Sequence, residues 1–391
     1  MGSRGRADDR ALSTAAGLTP AALIAAAIVA SRLASIAGLS SFGARGLDWV
    51  VHLATTAYDA SWYRIIINRG YWSAGVADQA SGFYPGYPIA VRVAELALPW
   101  PLASLEAAML LVSAVSVVFA AWWLHELYAP RFGPRGAVIG VGLLVCSPPA
   151  FFLGLGFSEA LFLALVAGTF LAAERGRWTL AGLAGGGACL VRSNGLELAL
   201  PLLMAAVSAR AWHSPRSLLP GVLVFAAAAA AYPLYLLAAF GDPLRYFHLQ
   251  ATYWHHRFTS PVVSIGTGLH RMAAAAHAWV AGHSTSVRYV DAPAVIDDGA
   301  AVVIGGVVSA AGWLGLRPHE VVWVLLVWIT PLLAFPVPDS EGRYLLAAFP
   351  IFFWVGRLLA RLPAASVALM AAGLIYQAVL CFRLAEGYFV G

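Results

Sequence analysis

Apolar residues run almost without interruption at about 18–39, 104–128, 134–154, 157–174, 177–191, 195–209, 217–240, 299–316, 319–336, 343–357 and 363–383. Runs of this length can cross the hydrocarbon core of a bilayer as helices. The pattern therefore predicts an all-α polytopic membrane protein with roughly eleven transmembrane helices. The first run follows an arginine-bearing tail (Arg4, Arg6, Arg10) and continues without a small-residue cleavage site, so it is expected to stay as a helix. A cytoplasmic tail at 1–17 and a single transmembrane domain at 18–391 follow from this. Two stretches fall outside the pattern, 40–103 and 241–298, and are expected to be long external loops on one side that together form the site. Within the first, 83–100 carries Arg92 and Glu95 and is expected to lie along the interface as an amphipathic helix.

Composition agrees with the pattern. Hydrophobic residues make up 61% of the chain and charged ones 11%, and the mean hydropathy of +0.77 is outside the range of soluble domains. All 24 basic residues are arginine, and alanine is abundant, as in proteins from GC-rich genomes. The net charge of +5 is read as arginine at a cytoplasmic face rather than as a nucleic-acid surface. With the N-terminus inside, the cytoplasmic loops hold Arg131, Arg135, Arg175, Arg177, Arg210, Arg216, Arg317, Arg357 and Arg361, and the short external connections hold Arg192 and Arg343. If 83–100 spanned, this orientation would invert. Cys146, Cys189 and Cys381 lie inside apolar runs and imply no disulfide framework.

Chemistry is expected in the polar, aromatic stretch YDASWYRIIINRGY at 58–71 and in GFYPGYP at 82–88. Asp59 can act as a general base on an acceptor hydroxyl, with nearby arginines binding a phosphate leaving group. One base suffices for inversion, whereas retention would need a second carboxylate, for which Asp48 and Asp78 are available. Asp59 could instead form a structural ion pair with Arg64. Glu159 in GFSEALF and Arg192 in VRSNG are costly charges at the apolar boundary, and either function or helix-end placement accounts for them. In GDPLRYFHLQATYWHHR, His248 and His255 are expected near one helical face. His248, Gln250, Trp254 and Arg257 there suit hydrogen bonding to a sugar or phosphate better than zinc. There is no Asp-x-Asp motif, only the mixed pair Asp339 and Glu341, so a lipid-phosphate donor with no metal cofactor is favoured over a nucleotide sugar. The run Gly185, Gly186, Gly187 is mid-helix and reads as close helix packing.

The two motifs resemble the WDAxxFxxIAxxGY and FFPGFP signature of the PIG-V type mannosyltransferases, the family of GPI mannosyltransferase 2. SPPAFFLGLGFSEALFLAL at 147–165, ERGRW at 174–178, VRSNG at 191–195 and RYLLAAFPIFFW at 343–354 resemble further segments of that family in the same order. Tyr58 departs from the family's usual Trp. The resemblance implies a GT-C glycosyltransferase fold and inverting α-mannosyl transfer from a polyprenyl-phosphate-mannose donor, with Asp59 as base, on the non-cytoplasmic face. Arg192 and Arg343 match arginines of the family's motifs and are assigned on charge grounds to the donor phosphate or to the site's architecture, and Asn194, Arg257, His248, Gln250, Glu159 and Arg64 are further candidates for binding the donor's phosphate or sugar. A lipid or cell-envelope glycan acceptor and a bacterial plasma membrane are expected. A transporter or flippase of a polyprenyl-linked glycan is the rival reading, with polar residues spread through the midplane, and an inactive scaffold is a third.

Overall fold

A computed structural model describes residues 19–72, 77–99, 101, 103–280, 292–338 and 340–390. The tail expected at 1–17 and Asp339 lie outside the described residues, as does the side chain of Asp78. Helix α1 (Pro20–Leu39) is capped by Thr19, whose hydroxyl accepts from the Ala22 amide at 3.3 Å. The first expected loop then folds into α2 (Leu47–Thr56), α3 (Asp59–Arg69), the single turn α4 (Ala77–Ala80) and α5 (Gly86–Ala97). At 12 residues α5 is too short to span. It buries Tyr87, Pro88 and Val91 and leaves Ile89, Val93 and Leu96 exposed.

Helix α6 (Leu105–Val145) contains Pro130 and Pro134, and between them Gly133, at φ 79° and ψ 153°, divides it into two helices. The second ends at Val145 rather than at the expected 154. Pro148 and Pro149 there open a 3₁₀ turn (Pro148–Gly154), since proline has no N–H to continue an α-helix. The chain then bends by 96° into α7 (Glu159–Glu174). Next come α8 (Trp178–Val191), a 3₁₀ turn (Ser193–Leu198), α9 (Ala199–Ser208) and α10 (Pro215–Phe240).

The second expected loop is largely helical. It holds α11 (Arg245–Tyr253) and the 20-residue α12 (Pro261–Val280), and α13 (Ala292–Gly312) begins ahead of the expected 299. Helices α14 (Pro318–Ala334), α15 (Glu341–Leu345), α16 (Pro350–Leu359) and α17 (Pro363–Ala385) complete the chain, so the run expected at 343–357 is two pieces.

The chain is an all-helical integral membrane protein. Among the described residues, five helices are long and apolar enough to cross a bilayer, or six with the bent pair, against the eleven runs expected. The remainder are shorter, such as α8 with 14 residues and α14 with 17. Non-helical backbone at membrane depth is tolerated where it is buried in protein or lines a cavity. The breaks before α7, after α8 and around α15 are of that kind, since they meet at one place.

Helices α8 and α10 pack closely enough that a Cβ on Gly182 would lie 2.1 Å from the Gly221 carbonyl oxygen, and one on Gly186 would lie 2.9 Å from Ala228 Cβ. The glycine run is therefore a helix-packing surface, as expected. Gly182→Val is expected to lower stability by about 1–3 kcal/mol through overpacking, read as a fall in unfolding temperature in detergent. An unchanged temperature would show that the two helices can move apart freely.

Charged groups at the two ends of α7 have different roles. Glu174, at its C-terminal end, pairs with Arg317. Nearby, Arg175 pairs with Glu126 at 2.9 Å, and Arg131 holds Glu320 through both carboxylate oxygens at 2.5 and 3.1 Å. Arg131, Arg175 and Arg317, three of the nine arginines expected at the cytoplasmic face, thus gather about 24 Å, one helix length, from Glu159 at the other end.

Candidate active site

Four backbone breaks deliver four charges to one place. Asp59 is the first residue of α3, behind Tyr58, whose φ of 42° is a conformation L-residues rarely adopt. Tyr58 is held there by a 2.5 Å hydrogen bond from its hydroxyl to the Tyr388 carbonyl and by the Phe389 ring at 5.1 Å. Glu159 is the first residue of α7, beyond the 96° bend. Both carboxylates thus sit at helix N-termini, where the helix dipole favours negative charge. Arg192 is an extended residue (φ −150°, ψ 150°) between α8 and its 3₁₀ turn, and Arg343 lies in the short α15.

These side chains form a ladder. Arg343 donates from Nη2 to Asp59 Oδ2 and from Nε to Glu159 Oε1, and Arg192 donates from Nη1 to the same Glu159 oxygen. Arg192 also reaches Ser158 Oγ at 3.2 Å, which in turn accepts from Tyr63 Oη at 2.9 Å. Arg343 lies over the rings of Phe152 and Phe157, each 5.1 Å away, and Arg192 lies over Tyr344 at 5.3 Å. Two acids and two bases balance, so the ladder is formally neutral. Its members differ in access: the Asp59 side chain is 24% exposed and that of Glu159 only 4%. Asp59 is the carboxylate of the ladder that an incoming molecule can reach.

Asp59, Arg192 and Arg343 face a cleft of about 760 Å³ whose walls come from both expected loops. Trp62 and Phe83 line it from the first, and Tyr246, Gln250, Trp254 and Arg257 from the second. Arg257 is exposed and, among the described residues, makes no ion pair with a carboxylate. Phe258 beside it is 89% exposed, and Val262 follows at the start of α12, also exposed. His256 also lines the cleft, and burial pushes its pKa down to about 4, so it presents a neutral ring. A second cavity of about 280 Å³ lies at the other end of α7, where Arg317 is already paired with Glu174.

Of the residues singled out by sequence, the structure brings Asp59, Glu159, Arg192, Asn194, Gln250, Arg257 and Arg343 to this region. Asn194 donates to Glu197 Oε1 at 2.7 Å, and Gln250 donates to the Gly82 carbonyl at 3.0 Å. Arg64, expected among the donor-binding residues or as a partner of Asp59, is a correction: it pairs with Glu106 at 2.5 Å and does not line the cleft, because it projects from α3 toward the start of α6. His248 is another, since it turns outward to Asp242 at 2.8 Å and does not line the cleft. His255 cannot share a helical face with it, because α11 ends at Tyr253 and His255 has a φ of 58°. Asp48 is exposed in the first turn of α2. Sequence reasoning missed Ser158, Tyr344, Tyr246 and Phe389. The first three stand inside the stretches GFSEALF, RYLLAAFPIFFW and GDPLRYFHLQATYWHHR, but nothing in the sequence signalled Phe389, which arrives from the C-terminal end of the described residues.

No family model matches the chain. Over 146 residues it is 36% identical to GPI alpha-1,6-mannosyltransferase 2 of Cricetulus griseus, a stretch making up 36% of this chain and 29% of that protein. Over 99 residues it is 35% identical to GPI mannosyltransferase 2 of Yarrowia lipolytica, covering 25% of this chain and 28% of that one. The matching stretch thus spans less than a third of these relatives. ArnT from Cupriavidus metallidurans in the apo state superposes with a TM-score of 0.52 over 86% of this chain and 72% of that one, at 14% identity. The chain is therefore similar in part of its sequence to GPI mannosyltransferase 2, and its fold is the GT-C membrane fold that it shares with ArnT.

Proposed function

We propose that this protein is a membrane glycosyltransferase that moves mannose from polyprenyl-phosphate-mannose to a glycolipid or cell-envelope glycan acceptor, with inversion. The observation that carries this reading is a reachable carboxylate, Asp59, in a cleft that also presents three arginines. Partial identity to mannosyltransferases supports the choice of sugar. In the reaction Asp59 removes the proton of the acceptor hydroxyl, whose oxygen attacks the anomeric carbon. The bond from that carbon to the phosphate oxygen breaks, and the charge left on the phosphate is taken up by arginine N–H groups in a partly dry site. Those same N–H groups supply the positive charge that a metal would otherwise bring.

The ladder alters which arginine meets the donor first. Arg343 and Arg192 are each engaged with Glu159, whereas Arg257 stands at the cleft mouth with its charge uncommitted among the described residues. Exposed Phe258 and Val262 next to it offer an apolar surface to a prenyl chain. Arg257 therefore makes the first phosphate contact, and Arg192 and Arg343 hold the departing phosphate deeper in the cleft. The cleft lies at the opposite end of α7 from Arg131, Arg175 and Arg317, which by the positive-inside rule supports reading the reaction as one on the outer face, and we take the membrane to be a bacterial plasma membrane.

Arg257→Ala is expected to raise KM for the lipid donor about tenfold with kcat little changed, because an exposed charge contact to the ground-state phosphate is lost. Steady-state kinetics with varied donor would test this. An unchanged donor KM would remove Arg257 from donor binding.

A further inference from the structure

Three aromatic side chains line the cleft beside Asp59 without a part in the ladder. The Trp62 ring stacks on Phe83 with centroids 5.8 Å apart and planes at 18°. Trp254 meets both edge-on, at 6.3 Å from Trp62 and 5.5 Å from Phe83. All three are half-buried and border the cleft. Their placement joins the two loops. A Cβ on Gly82 would come within 2.9 Å of the Trp254 ring, so the glycine makes room for it, and Gln250 donates to the Gly82 carbonyl one helical turn earlier.

We infer that Trp62, Phe83 and Trp254 form a stacking platform for the pyranose ring of the acceptor. This rests on the proposed transferase reading and assigns the acceptor side of the cleft to this chain's own residues. A pyranose presents one face of C–H groups, which carry slight positive charge and settle against the negative face of an aromatic ring, while its hydroxyls remain free at the rim. Asp59 and Trp62 are three residues apart on α3, hence on one helical face. A ring seated on Trp62 therefore presents its rim hydroxyls to the carboxylate that must accept the proton. Gln250, Tyr246 and neutral His256 also border the cleft and can meet the other hydroxyls.

The test uses the full-length protein in lipid nanodiscs and methyl α-mannopyranoside as probe, read by saturation-transfer NMR. Mannitol, with similar hydroxyls but no ring face, is the control. Wild type is expected to saturate the C–H face of the glycoside and to ignore mannitol. Trp62→Ala should weaken the apparent affinity about tenfold, and Trp62→Phe should restore most of it. Trp254→Ala should weaken binding as well, and serves if Trp62→Ala does not fold. In an Asp59→Asn background, where turnover is blocked, saturating undecaprenyl-phosphate-mannose should leave the glycoside signal in place. Displacement by that donor would assign the platform to the donor sugar and overturn the inference. So would equal signals from mannitol, absent binding by wild type, or unchanged affinity in folded Trp62→Ala. Glycoside binding needs no turnover, so absent transfer with intact aromatic-dependent binding would count against the transferase reading and leave the platform standing.

Discussion

Asp59→Asn is expected to reduce mannosyl transfer about 10²–10⁴-fold, the range that a positioned general base contributes. Asparagine keeps the shape of the side chain and cannot take a proton. The substitution should leave the scaffold intact, because Arg343 keeps its second partner, Glu159. Donor affinity should therefore stay within about threefold of wild type, so the loss falls on kcat. Donor binding and single-turnover transfer measured on the same preparation separate the two quantities. An equal loss in both would make Asp59 a structural counter-ion of Arg343 and leave the reaction without its base.

Glu159→Gln is expected to be the most destabilising single change in the site. Its Oε1 receives both Arg343 and Arg192, and the side chain is only 4% exposed. Removing this carboxylate charge leaves Arg343 with Asp59 and Arg192 with Ser158 Oγ but, among the described residues, no carboxylate. Breaking a buried ion pair in this way typically costs about 3–5 kcal/mol, because the remaining charge is left without compensation. A fall in unfolding temperature measured in detergent, together with loss of transfer, is the expected result. Adding Arg192→Met to Glu159→Gln should recover part of the stability, since it removes the charge left unpaired. A Glu159→Gln protein as stable as wild type would mean that solvent reaches the ladder and screens it.

Much of this arrangement was legible in the sequence where the physics is local. The apolar runs carried the helical membrane class, and the polar aromatic loop pointed to Asp59 because charge is costly in so apolar a chain. Helix breaks were less legible. The run at 134–154 reads as one helix by hydropathy, yet Pro148 and Pro149 turn it so that Glu159 can meet Arg192 and Arg343 behind the cleft. The run at 343–357 likewise reads as continuous, while α15 and α16 are separated to place Arg343. Pairings between distant segments were not legible at all. Arg64 chose Glu106 and His248 chose Asp242 through three-dimensional proximity that no spacing rule encodes. The sharing of one glutamate oxygen by two arginines, 33 and 184 residues away, is of the same kind.

The most direct measurement is transfer itself. Purified protein in lipid vesicles is supplied with undecaprenyl-phosphate-mannose labelled in the sugar and with an envelope lipid extract, and wild type is compared with Asp59→Asn. Label passing to an acceptor with wild type and not with the variant is the predicted result. Label remaining on the prenyl phosphate while the donor crosses the bilayer equally with both proteins would contradict it and make the cleft a lipid transport path.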